Sequence, residues 1–299
     1  MSPELAESPS TGSALEPLPD ATAWAAELEF AVATAAEAGA VLMDRYERLE
    51  RVAHKSARDV VTEADHLSEE LIIRAIRDRF PGDAILAEES GAHRGRAGRH
   101  DRGAAGESSE ITTPNGRTWV IDPLDGTVNY ANGLPMFCVS IGFVVDGRPT
   151  AGAVLDPTRN ETFAAARDGA ATLNGRPIQA STKDQLSDYV ISLALSGRSV
   201  PTRGRAIRKL VRVSRSMGSA SLGLAYVANG RFDAFVQETS LSAWDIAAAG
   251  LIAERAGAVV TAFDGAGWYD PSRTSRAASI VAAPLAFHSR LRALATGRG

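Results

Sequence analysis

The sequence predicts an α+β fold, and three features of its 299 residues predict it. Two stretches near the amino end carry apolar residues at helical spacing, four β-type runs follow in a block, and helices and strands then alternate to the end. Blocks of like elements fit segregated layers better than the strict βαβ units of a doubly wound sheet. With 44% hydrophobic residues the chain can bury one large core or two closely packed ones.

Taken in order, residues 1–20, MSPELAESPSTGSALEPLPD, mix Pro, Ser and acids without apolar periodicity and are expected to be a disordered tail. An amino-terminal half is expected over residues 21–165 and a carboxy-terminal half over 166–299. From residue 21 to 50 the Ala-rich pattern predicts a long helix, and HLSEELIIRAIRDRF predicts a second, ended by Pro81 and Gly82. HKSARDVVTEAD between them reads as a polar link. AILAEES is a short buried strand that delivers Glu88 and Glu89 at its end. Residues 91–117, rich in Gly, Arg and Ser, lack any period and read as a flexible loop or lid. RTWVIDPLDGT, FCVSIGFVVDG, PTAGAVLDP and ETFAAARDG, separated by Gly, Pro, Asp and Asn, predict an antiparallel meander. The remainder reads as a strand at YVISLAL, helices at TRGRAIRKLVRVS and SLGLAYVANG, a strand at DAFVQ and a helix at AWDIAAAGLIAERAG. Strands at AVVTAF and SIVAAP and a last helix at PLAFHSRLRALA complete it.

A net charge of −4 gives no basic field to concentrate nucleic acid or an anionic membrane, so a small-molecule partner is expected. The single cysteine, Cys138, lies in an apolar run, which rules out an internal disulfide framework and reads as a buried thiol in a reducing compartment. No Lys or Arg precedes Arg45 and no apolar run reaches membrane-spanning length, so a cytoplasmic protein is expected. The five histidines show no metal-ligand pairing, and there is no Walker-type or G-x-G-x-x-G loop.

Chemistry concentrates in TWVIDPLDGTVNY, residues 118–130. A strand stops at Asp122, Pro123 fixes the backbone, and Asp125 follows within a turn. Two carboxylates and the carbonyl of Leu124 make an all-oxygen set of the kind hard cations prefer. Amides near Gly126 and Thr127, at a helix start, suit an anion such as phosphate. A strand ending in an Asp-Gly turn accounts for Asp125 and Gly126 alone. Glu88 ends another apolar strand, where acids cluster against their own repulsion unless a cation offsets it. Asp245, after Trp244, and Asp65, in DVVTEAD, stand at helix starts and serve equally well as caps.

DVVTEAD, AEES, DPLDGTVNY and SAWDIAAAG, in this order and at these intervals, resemble the inositol monophosphatase family of the lithium-sensitive sugar phosphatase superfamily. The resemblance runs from about residue 21 to the last helix and implies a layered α/β/α/β/α sandwich. It implies a Mg2+ phosphatase with two to three ions, acting on a small phosphorylated polyol or sugar and commonly a homodimer. It assigns Glu88, Asp122, Leu124, Asp125 and Asp245 to the metal, and Asp65, Thr127 and Glu88 to orienting and deprotonating the attacking water. Gly126 and Thr127 would cradle the phosphate. Lys55 matches a position near the metals, though a surface lysine is an equal account.

Gly218, Ser219 and Ala220 resemble the element that lines the substrate pocket, with Ser219 where threonine is commoner. A glutamate upstream of the Trp-Asp pair binds substrate hydroxyls in the family. Counted back from Trp244 it is Glu238, but counted forward from Asp233 it is Gln237, so one residue is inserted. Inositol phosphate or another sugar phosphate is the first expectation, with histidinol phosphate, fructose 1,6-bisphosphate and 3′-phosphoadenosine nucleotides as alternatives. The Asp-x-Asp-Gly-Thr signature of aspartyl-phosphate phosphotransferases is one residue shorter than Asp122-Pro-Leu-Asp125 and belongs on a first strand. A metal-stabilised binding module without chemistry would need neither Thr127 nor the spare acid Glu88.

Overall fold

A computed structural model describes residues 23–48, 52–56, 59–95, 116–270 and 278–298. The expected tail at 1–20 and the centre of the expected loop at 91–117 lie outside the described residues.

Helices α1 (Ala25–Arg45) and α2 (Glu63–Arg79) pack on each other and on one face of an eight-stranded sheet. The link between them is a short antiparallel hairpin, β1 (Val52–Ser56) and β2 (Asp59–Thr62), which the polar sequence hid. The sheet is built from β3 (Ala84–Ala87), β4 (Gly91–His93), β5 (Arg117–Asp125), β6 (Cys138–Val145), β7 (Arg148–Asp156), β8 (Glu161–Ala166), β9 (Thr172–Leu173) and β10 (Arg176–Pro177). Its order is β10-β9-β8-β7-β6-β5-β3-β4, so the expected meander of β5 to β8 forms, and the sheet runs past residue 165 to Pro177. The first residues of the expected loop are strand β4.

A second sheet, in the order β12-β11-β13-β15-β14, contains β11 (Val190–Ala194), β12 (Val213–Arg215), β13 (Ala234–Leu241), β14 (Val259–Ala262) and β15 (Ala278–Ala283). Helices α5 (Ala220–Ala228) and α6 (Ala243–Arg255) lie between the two sheets, and α4 (Val200–Arg208) and α7 (Leu285–Thr296) cover the far face. The result is an α+β chain in five layers, α/β/α/β/α. The helix expected over residues 202–214 ends at Arg208 and the chain becomes β12, because Val213 and Ser214 pair with β11.

Among the described residues four hydrophobic clusters fill the layers, and one of them, Leu86, Val120, Val144, Ala243 and Ala247, joins the first sheet to the start of α6. Ala35, Ile72, Trp119 and Phe143 pack beneath α1 and α2, Leu224, Phe235 and Ile280 surround α5 and α6, and Ile191, Ile207 and Leu291 lie under α4 and α7. The seat of α6 is cut by two paired glycines, Gly142 on β6 and Gly152 on β7. A Cβ at Gly142 would fall 2.8 Å from the Ala247 Cβ, and one at Gly152 would fall 2.9 Å from the Ala248 Cα. Only bare backbone on the sheet lets the Ala-rich helix approach this closely, and that approach sets Asp245 at the helix start over the end of β5.

Candidate active site

In a regular strand residues three apart face opposite sides, yet Asp122 and Asp125 converge. β5 carries a bulge there: Asp122 pairs with Ser140 and Asp125 with Cys138, three steps against two. Pro123 has no N–H to give the ladder, so the extra residue sits where it costs no hydrogen bond. The Leu124 amide turns back to Asp122 Oδ1 at 3.1 Å, and the Ser68 hydroxyl holds the Pro123 carbonyl at 3.0 Å. Asp245 arrives from α6. Asp122, Asp125 and Asp245 each present an oxygen, all within 4.8 Å of one another.

Gly126 follows with φ +96°, and a Cβ there would meet the Met136 carbonyl at 2.8 Å. This left-handed step turns the strand into the short helix α3 (Thr127–Ala131). The Thr127 hydroxyl lies 3.2 Å from Asp65 Oδ1 and 3.0 Å from the Leu124 carbonyl, its one proton shared between them. Asp65 is fully buried at the third residue of α2; its Oδ2 accepts the Thr62 amide at 2.8 Å and hydroxyl at 2.6 Å. Asp245 closes the same capping box on α6, taking the Ser242 amide on Oδ2 at 2.6 Å. The cap reading and the site reading are thus both satisfied, though the N-caps themselves are Thr62 and Ser242.

Glu88 stands on the turn after β3, half-buried, with its amide on the Ile121 carbonyl at 3.2 Å and its carboxyl in hydrogen-bonding contact with Asp122. That turn is held by Glu69, whose two oxygens accept the Glu89 and Ser90 amides at 2.9 and 3.0 Å. The sequence reading passed over Glu69, although an acid on the same helical face as Ile72 and Ile76 was a signal of a buried acceptor.

From the other half, Ser219 caps α5 and donates its hydroxyl to Asp125 Oδ2 at 2.8 Å, and the Ser221 amide joins at 2.6 Å. Gly218 and Ala220 flank Ser219 at that helix start. Cys138 is buried behind Asp125, its sulfur 3.8 Å from Oδ2. Burial pushes its thiol well up, so it stays protonated.

Glu238 does not join this group. Its oxygens accept Arg203 Nη1 and Nη2 at 2.9 and 2.7 Å and the Ser196 amide at 3.0 Å, and the guanidinium holds its carboxyl below the usual range. Alternation along β13 explains the difference: Phe235 packs toward α5, whereas Val236 and Glu238 face α4 and α7. The register of β13 shifts between Gln237 and Leu241, four steps on β13 against two on β15, and Gln237, two residues after Phe235, falls on the α5 face. Lys55 lies on β1, but its side chain is outside the described residues.

The electrostatics are those of a cation site. Burial, then the charges of Glu88, Asp125 and Asp245, push the 1% exposed Asp122 carboxyl well up, and burial raises Asp125 against the hydrogen bonds it accepts. An all-carboxylate set suits a hard divalent cation, which would offset this repulsion. Burial also lifts Asp65 to about 6. A raised folded value means that the folded chain binds this proton more tightly than the unfolded chain. The cost of the charged form is absent below the unfolded pKa, grows as pH rises, and is complete above about 6. In chelator, Asp65→Asn is therefore expected to gain about 2 kcal/mol of stability relative to the native chain between roughly pH 4.5 and pH 8. Urea unfolding at the two pH values reads this directly, and a pH-independent difference would refute it.

The family model described as "Inositol monophosphatase family" matches residues 24–296. The chain is 39% identical over 246 residues to the "Nus factor SuhB" of Pasteurella multocida, covering 80% of this chain and 85% of that protein. It is 36% identical over 244 residues to the "Inositol-1-monophosphatase" of a Synechocystis species, covering 79% of each. Among solved structures, the IMPase of Thermotoga maritima superposes with a TM-score of 0.77 at 30% identity over 91% of this chain and 98% of that one. SuhB of Mycobacterium tuberculosis gives 0.71 at 30% identity, over 92% and 97%. No described helix is long and apolar enough to cross a membrane. Family model, relatives and fold agree with the carboxylate site, and the chain belongs to the inositol monophosphatase family.

Proposed function

We propose that this chain is a magnesium-dependent phosphomonoesterase that hydrolyses inositol monophosphate or a related sugar or polyol phosphate with a water nucleophile. The observation that carries the reading is the convergence of Asp122, Asp125 and Asp245 within 4.8 Å, beside a threonine hydroxyl already engaged with a buried acid. Glu88, Asp122, the Leu124 carbonyl, Asp125 and Asp245 would hold two to three ions. Bound there, magnesium neutralises the phosphate oxygens and eases deprotonation of water and departure of the alkoxide.

The chain's own part is positioning and proton transfer. The Thr127 oxygen, with its proton directed to Asp65, accepts a hydrogen from the attacking water. As the water attacks phosphorus in line, its proton passes to Thr127 and the Thr127 proton to Asp65, whose value of about 6 leaves it charged and ready near neutrality. Glu88 accepts the water's second hydrogen and fixes its direction. Gly126 and Thr127 amides receive the phosphate, and the α5 start at Gly218, Ser219 and Ala220 borders the alcohol. Glu238, held by Arg203 and the Ser196 amide, braces the chain after β11 and offers its remaining acceptor capacity to a substrate hydroxyl.

Phosphate release from inositol 1-phosphate, fructose 1,6-bisphosphate, histidinol phosphate and 3′-phosphoadenosine 5′-phosphate tests the reading. Release with magnesium, highest for a sugar or polyol monoester, is expected. No release from any of them would overturn it and favour a metal-stabilised binding role without hydrolysis.

A further inference from the structure

Two of the three residues that supply the convergent carboxylates belong to different layers, and one serine bonds to both. Asp125 ends β5 of the first sheet, and Asp245 stands in the first turn of α6. Ser221, fully buried in the first turn of α5, donates its amide to Asp125 Oδ2 at 2.6 Å and its hydroxyl to the Asp245 carbonyl at 2.8 Å. It is the one serine within the mostly apolar run ASLGLAYVA, where a buried O–H persists only if it is satisfied. Ser219 shares the task at Asp125 but makes no bond to α6 among the described residues.

The consequence is geometric. Oδ2 of Asp125 is held by α5, and the Asp245 carboxylate is likewise held through Oδ2 by Ser242. What fixes the spacing between these two carboxylates is the contact of α5 with the first turn of α6. Gly142 and Gly152 seat α6 on the sheet from below, and Ser221 ties it sideways.

We propose that Ser221 is a positioning residue of the metal site, setting the Asp125–Asp245 spacing and with it the affinity for the cation; this rests on the reading of the carboxylates as a magnesium site. Outer partners of metal ligands typically change affinity by about 10–100-fold when removed. Ser221→Ala keeps the amide bond to Asp125 and removes the hydroxyl, which ties the Asp245 carbonyl and also contributes at the Asp125 carboxylate.

The test is calorimetric titration of Mg2+ into the native chain, Ser221→Ala and Ser221→Cys, with thermal unfolding in chelator beside it. The expected result is about tenfold or greater weakening of Mg2+ binding in Ser221→Ala. Ser221→Cys, a weaker donor of similar size, should fall between. All three should melt together in chelator, and the KM for the phosphomonoester should be unchanged at saturating Mg2+. Binding in Ser221→Ala within twofold of the native chain would overturn the inference and leave the site reading intact. If Ser221→Ala melts early, Ser221→Cys decides, and native-like Mg2+ affinity there with native-like melting of its own would also overturn it. A native chain that takes up no Mg2+ would overturn both the inference and the reading beneath it.

Discussion

Asp122→Asn is expected to lose roughly a thousandfold or more in kcat while folding normally. Asp122 is the most enclosed of the convergent carboxylates, 1% exposed, and it faces Glu88, Asp125 and Asp245 at once. An amide of the same shape keeps the bulge and can still accept the Leu124 N–H, but it carries no charge for a cation shared among these acids. Losing about 4 kcal/mol of transition-state charge stabilisation corresponds to roughly a thousandfold in rate. Stability should move the other way. Removing one of four mutually repelling carboxyls relieves the metal-free protein, so its melting temperature in chelator should hold or rise. A variant that kept native turnover would remove Asp122 from the chemistry, and one that simply unfolded would give it a structural role only.

Gly152→Val is expected to cost about 3 kcal/mol and to lower the melting temperature by about 5 °C. The added Cβ falls 2.9 Å from the Ala248 Cα, a backbone atom that can yield only if α6 moves as a whole. Because Asp245 rides on that helix, a residual folded population should also bind Mg2+ more weakly. Gly152→Ala should show the same signs at smaller size. Unchanged melting of the valine variant would mean that α6 is not seated by this glycine pair.

Local chemistry explains which parts were legible in the sequence. The DPLDGT stretch could be read because its elements act within a few residues: a strand end, a proline without a donor and a glycine that turns the chain. The same holds for helices α2 and α6, whose apolar period and starting acids lie in one segment. Asp65 and Asp245 each showed a capping role in the sequence, and the second role of Asp245 emerges only when α6 lies over β5. Glu238 could not be placed by counting, since the face it takes depends on strand alternation and on a bulge after Gln237. The β1–β2 hairpin and β12 escaped notice because runs of three to five residues are too short to carry a period, and pairing with a neighbour, not composition, makes them strands. Glu69 and Ser221 act wholly across the chain, 20 residues away in the case of the Glu89 amide and 96 in that of Asp125.

The most direct test of the account is phosphate release by the native chain, stripped with chelator and then repleted with Mg2+, on the best substrate of the panel. The account predicts that turnover falls by roughly a thousandfold on stripping and returns on repletion, since the carboxylates then lack the cation they converge on. Full turnover in chelator would contradict it.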